Sequence, residues 1–96
     1  MKKSVKSENS VTIPIQSNIN ALKERLVALR KEHSLTQQQL ADELNVSRSA
    51  VASWENGDRI PDINNLADLS MLYNVTCDYL IGLTDEKNKT IEFERF

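Results

Sequence analysis

The chain is poor in the residues that build cross-linked or loop-rich proteins: one cysteine (Cys77), two prolines and two glycines in 96 residues. A single thiol excludes an intramolecular disulfide framework and any zinc site built on several cysteines. So little glycine and proline argues against a sandwich of short strands and for helices of moderate length. There is one histidine, and there is no HExxH pair, no glycine-rich phosphate loop and no catalytic triad. No enzyme, cofactor or metal is therefore expected. No run approaches the roughly 18 apolar residues of a membrane span. The basic start, MKKSVKSENS, has no apolar segment behind it to act as a secretion signal. A cytoplasmic protein without membrane association is expected.

What is present suits one small globular domain. Hydrophobic residues make up 40 % of the chain, and 96 residues leave room for one core. A core of that size gains stability from dimerisation. The net charge of −2 is unhelpful for binding a polyanion, but it is unevenly spread. Residues 1–20 carry +2, residues 21–59 are neutral, and residues 60–96 carry −4. The acidity sits in the C-terminal third, where it can face away from an anionic partner.

Five helices are expected in succession. Ile19, Leu22, Leu26 and Leu29 recur at helical spacing, which predicts a first helix from about Ile19 to His33, capped by Ser17 or Asn18. Thr36 with Gln39 forms a capping box for a second helix, whose inner side is Leu40, Ala41 and Leu44. Asn45 ends it, because asparagine tolerates the left-handed region. Ser47 caps a third helix that runs to about Glu55 or Asn56, where Asn56-Gly57 is a strong stop signal. Its inner side is Ala50, Val51 and Trp54. Its other side, Arg48, Ser49, Ala52, Ser53 and Asn56, is polar, short-chained and almost free of acids. Pro61-Asp62 opens a fourth helix with Ile63, Leu66, Leu69, Ser70 and Tyr73 inward. Thr76 caps a short fifth helix holding Tyr79, Leu80 and Leu83.

These helices make a domain over residues 18–83, flanked by an N-terminal extension, 1–17, and a C-terminal tail, 84–96. Val11, Ile13 and Ile15 alternate with Thr12 and Pro14; near the other end stand Ile91, Phe93 and Phe96. Two readings stay open for these ends. Val11–Ile15 and Thr90–Phe96 pair as a small sheet, within or between chains, or they are two disordered tails.

The stretch from Thr36 to Asp62 carries the functional signal. Two helices that cross steeply need a small residue at the crossing, and Ala41 supplies it. Val46 and Val51 plug the wedge between them. The polar side of the third helix is then free to enter a major groove of duplex DNA. With Leu35-Thr36-Gln37, Leu40-Ala41, Val46-Ser47, Val51-Ala52-Ser53-Trp54-Glu55-Asn56-Gly57, Pro61-Asp62, Leu66, Asn74-Val75 and Asp78-Tyr79-Leu80-Ile81-Gly82 in this order, residues 19–83 resemble the Xre/Cro family of repressors. The resemblance implies an all-α, five-helix, lambda-repressor-like fold containing a helix-turn-helix.

It also implies roles. Gln37, at the exposed start of the second helix, resembles a phosphate contact, in a place where free N–H groups favour an anion. Arg48, Ser49 and Ser53 match base-reading positions; an arginine there suits guanine O6 and N7. Ser47, Asn56 and Arg59 match positions that contact the phosphate backbone. The family's basic cluster after the third helix is reduced here to Arg59 with Asp58 beside it, so Lys2, Lys3 and Lys6 are expected to help as an arm. Glu55 lies where the helix dipole disfavours an anion, and the family fold places Arg30 against it; a partly buried Arg30–Glu55 ion pair is expected.

Simpler roles account for other conspicuous residues. Trp54 is expected in the core rather than as a base stacker, His33 as a helix C-terminal cap, and Cys77 as an ordinary partly buried thiol. The resemblance implies a homodimeric, sequence-specific regulator of transcription, a repressor on a palindromic operator. Tyr79, Leu83, Phe93 and Phe96 are the expected dimer surface. The competing expectation is an antitoxin-like regulator that binds a protein partner through its termini, with DNA binding secondary.

Overall fold

Leu22, Leu26 and Leu29 lie at i, i+4 and i+7, so one helix presents all three on a single stripe, and each is at least 95 % buried. The computed structural model describes residues 15–88, and that helix is the longest of the five among the described residues. The elements are α1 (Ile15–Glu32), α2 (Gln37–Leu44), α3 (Arg48–Asn56), α4 (Ile63–Tyr73) and α5 (Cys77–Leu80). No strand occurs among the described residues. The stripe of α1 meets Leu40 and Ala41 of α2, Val51 and Trp54 of α3, Leu69 and Tyr73 of α4 and Leu80 of α5 in one core.

Local chemistry sets most of the boundaries. Thr36 accepts from the Gln39 amide at 3.0 Å, and the Gln39 side chain accepts from the Thr36 amide at 2.9 Å, completing the capping box of α2. Asn45 ends α2 at φ 59°. Ser47 caps α3 through the Ala50 amide at 3.1 Å, and Gly57 ends it at φ 86°. Asp62 caps α4 through the Asn65 amide at 2.8 Å, and Thr76 caps α5 through the Tyr79 amide at 3.0 Å.

Several expectations are corrected. Helix α1 starts at Ile15, four residues ahead of Ile19, so Ser17 and Asn18 are positions within the helix rather than ahead of it. Proline is well tolerated at the opening of a helix, and Pro14 precedes this one in sequence, a stronger start signal than the polar pair after it. Ile15 is helical rather than extended. Ile63 is 81 % exposed although its spacing puts it on the inner side of α4, because it stands at the first position of the helix, beyond the cover of its neighbours. Leu83 lies past the end of α5 and is 64 % exposed. The expected extended stretches Val11–Ile13 and Thr90–Phe96 fall outside the described residues.

Gly82 explains how the end of α5 closes on α1. A Cβ at Gly82 would stand 2.7 Å from the Ala21 Cβ, and the residue has φ 86°. Close by, the Asn18 side chain donates to the Ile81 carbonyl at 2.9 Å. Trp54 is 5 % exposed and belongs to the core. His33 Nδ1 lies 2.9 Å from the Leu29 carbonyl, and its ring meets Tyr73 at 4.9 Å between centroids. Cys77 is a half-buried free thiol.

Candidate nucleic-acid interface

The interface is built on the junction of α2 and α3. Ala41 is fully buried where the two helices meet, and Val51 is fully buried beside it. Val46, in the turn, packs against the same core. With Val51 and Trp54 turned inward, Arg48, Ser49 and Asn56 are exposed and Ala52 and Ser53 half-buried on the outer side of α3. This surface carries one guanidinium and two serine hydroxyls, and no carboxylate. The Ser47 hydroxyl, besides capping α3, lies 3.2 Å from the Ser49 hydroxyl.

Behind this face runs a continuous polar network. Arg30 Nε donates to Glu55 Oε2 at 2.7 Å and Arg30 Nη2 to Glu55 Oε1 at 3.1 Å, a two-pronged ion pair. The side chains are 14 % and 5 % exposed, so the pair is shielded from water. Hydrogen bonding to Glu55 pushes the Arg30 guanidinium further above its ordinary value, against the opposing effect of burial. Arg30 Nη1 also donates to the Leu35 carbonyl at 2.8 Å, holding the turn that leads into α2. Gln37 Nε2 donates to Glu55 Oε1 at 3.0 Å. Arg48 Nη1 in turn donates to Gln37 Oε1 at 3.0 Å.

Gln37 and Arg48 are therefore brought together. Gln37 keeps its second Nε2 hydrogen for another acceptor, and Arg48 keeps its Nε and Nη2 donors. Arg59 is exposed in the loop after α3, near the exposed Asn56. One residue beside the interface was not anticipated. Lys23 of α1 crosses Gly57: a Cβ there would be 3.2 Å from Lys23 Cδ and 3.8 Å from its Nζ. Its ammonium lies at the carbonyl end of α3, where a cation is favoured, and it adds basic support close to Asn56. Nothing in sequence connects residues 23 and 57; only the packing of α1 on α3 does.

Among the described residues no three His, Cys, Asp or Glu side chains cluster closely enough to hold a metal ion. No described helix is long and apolar enough to cross a membrane. The family model described as helix-turn-helix matches residues 26–80, which take in α2, the turn and α3.

The chain belongs to the Xre/Cro-like helix-turn-helix family. Among members of this helix-turn-helix family, it is similar to the uncharacterized HTH-type transcriptional regulator YobD of Bacillus subtilis (strain 168), at 38 % identity over 69 residues, covering 72 % of this chain and 62 % of the relative. It is 43 % identical over 59 residues to the HTH-type transcriptional activator BcrR of Enterococcus faecalis, covering 62 % of this chain and 29 % of that protein. The crystal structure of a transcriptional regulator from Listeria innocua shares the fold with a TM-score of 0.63 at 32 % identity, covering 75 % of this chain and 64 % of that one. The chain thus spans less than two-thirds of the length of each.

Proposed function

We propose that this protein is a sequence-specific DNA-binding regulator of transcription that acts as a repressor, as a homodimer on a palindromic operator. The observation that carries the reading is the acid-free outer face of α3, with Arg48 held by Gln37 at the start of α2. An α-helix fits the major groove, and short polar side chains near its N-terminus reach base edges. Arg48, Ser49 and Ser53 read bases, with the free edge of Arg48 suited to guanine O6 and N7. Gln37, Ser47, Asn56 and Arg59 hold phosphates, and Lys23 joins them. Such a protein works in the cytoplasm, where the operator is. Occupying an operator suffices to block polymerase, so repression needs no surface that contacts polymerase itself.

Selection of bound duplexes from a random pool, followed by salt titration, tests this. The expected product is a palindrome with half-site centres about 34 Å apart and an affinity that falls as salt rises. Arg48→Ala should relax preference at one base pair per half-site by about 1–3 kcal/mol. No enrichment from the pool overturns DNA reading. Since BcrR is named an activator, the sign is tested separately: a reporter whose transcription rises on operator occupancy overturns repression.

A further inference from the structure

Glu55 is an acid buried within a family motif, 5 % exposed, and it binds two groups with different destinations. Arg30 holds it from the core side. Gln37 reaches it from the side of the proposed DNA surface. We propose that the Arg30–Glu55 ion pair is a positioning device for base reading: it sets the orientation of the Gln37 amide and, through that amide, the aim of the Arg48 guanidinium. This rests on the DNA-reading role proposed above.

The chemistry of the groups imposes the orientation. An ionised carboxylate only accepts hydrogen bonds and a guanidinium only donates them. The Gln37 amide stands between one of each, with 3.0 Å to Glu55 on one side and 3.0 Å to Arg48 on the other. Only one of its two orientations satisfies both neighbours: NH2 toward Glu55 and oxygen toward Arg48. A flipped amide would set oxygen against carboxylate and NH2 against guanidinium. Without Glu55, neither orientation is enforced from behind.

Each link is fixed by the one before it. Arg30 is anchored by the Leu35 carbonyl in the turn ahead of α2. Its Nε–Nη2 edge then grips both Glu55 oxygens, which prevents the carboxylate from swinging. Gln37 is caught by Oε1, and Arg48 is caught by Gln37. With Nη1 occupied, Arg48 presents its Nε–Nη2 edge, the two-donor fork that matches guanine O6 and N7. A long side chain held in its working geometry loses less freedom on binding than a free one. Glu55 therefore acts as a positioning residue for specificity without touching DNA.

The test is a double-mutant cycle on the selected operator and on one altered at the base pair read by Arg48. It is run well below the melting midpoint of every variant with wild type, Glu55→Gln, Gln37→Met and the double variant. The expected result is that Glu55→Gln lowers the ratio of the two affinities by about tenfold. It should lower that ratio no further in the Gln37→Met background, since the relay is already cut there. Equal loss on both operators, or additive effects of the two substitutions, overturns the proposal and leaves the pair a purely structural one. If Glu55→Gln does not fold, the wild-type protein without DNA answers by NMR. The Gln37 side-chain amide protons should exchange with water more slowly than those of the exposed Asn64 side chain; exchange at the same rate overturns the proposal. A wild type that selects no operator overturns DNA reading itself, and this inference with it, and is recognised because no affinity ratio exists to compare.

Discussion

Tyr73 shows how much a single buried polar atom can be made to reveal. Its ring is 4 % exposed, and its hydroxyl has no hydrogen-bond partner among the described residues. Burial, reinforced by the nearby Glu55 charge, pushes the phenol up to about 12. The unfolded chain releases the same proton near pH 10. The folded state thus holds its proton longer, and the linked stability is complete below pH 10 and is lost as pH rises toward about 12. The loss across that window is on the order of 2 kcal/mol. Tyr73→Phe should abolish this part of the alkaline dependence. At pH 7 it should change stability by less than about 1 kcal/mol, because no hydrogen bond is broken. Urea titrations of both proteins at pH 7 and pH 11 measure the difference; equal alkaline losses would refute the assignment. The network around Arg30 and Glu55 is the opposite case, in which the buried groups satisfy one another and removal of one strands the rest.

At the scale of elements, one three-residue corner is used three times. Ser34-Leu35-Thr36, Asn45-Val46-Ser47 and Asn74-Val75-Thr76 each begin with a residue in the left-handed region, at φ 57°, 59° and 55°. Each continues with an aliphatic residue packed on or into the core, and ends with a hydroxyl that caps the next helix. In each, the aliphatic residue's amide donates to the carbonyl five residues back at 3.0 Å: Leu35 to Arg30, Val46 to Ala41, Val75 to Ser70. Two corners open with asparagine, which tolerates this conformation; the first uses serine, which does so less well. Ser34 is exposed, so the strain has no visible compensation there. Ser34→Asn should raise stability by a few tenths to about 1 kcal/mol, a shift of a few degrees in Tm for a domain of this size. Thermal melts decide; an unchanged or lower Tm would show that the serine is not strained.

At the scale of the whole molecule, the end of the described chain is folded back onto α1. Arg25 lies 4.0 Å from the centroid of the Tyr79 ring, donates to the Tyr79 carbonyl and to the Thr84 carbonyl at 2.6 Å, and reaches Asp85 at 2.9 Å. Lys87 bonds Glu32 at 2.9 Å while its carbonyl accepts from the Thr76 amide at 2.9 Å. Tyr79 of the expected dimer surface is thereby partly covered, while Leu83 stays 64 % exposed. Under the proposed function, Leu83 is the exposed apolar residue next to Tyr79 for a second copy to cover. Leu83→Glu should leave the Tm of the dilute protein unchanged. It should weaken binding to the full palindrome by about tenfold or more, about 1.4 kcal/mol, while sparing binding to a single half-site. Gel-shift titration on the two duplexes makes the comparison, and equal effects on both would move the dimer surface elsewhere.

The order of the described helices, their caps at Thr36, Ser47, Asp62 and Thr76, and the stops at Asn45 and Gly57 were all legible in the sequence. Caps and left-handed stops act within three or four residues, so their signal survives in a linear chain. Spacing likewise identified Leu22, Leu26, Leu29, Val51 and Trp54 as inward-facing. Periodicity failed at Ile63 and Leu83, because it tells which residues share a side and not whether a neighbour covers that side. The links from Glu55 through Gln37 to Arg48, and the placing of Lys23 over Gly57, depended on contacts between residues 11 to 34 positions apart. Helices of fixed length carry those side chains, but only the crossing of α1, α2 and α3 through the buried Ala41 brings their polar ends within hydrogen-bonding distance.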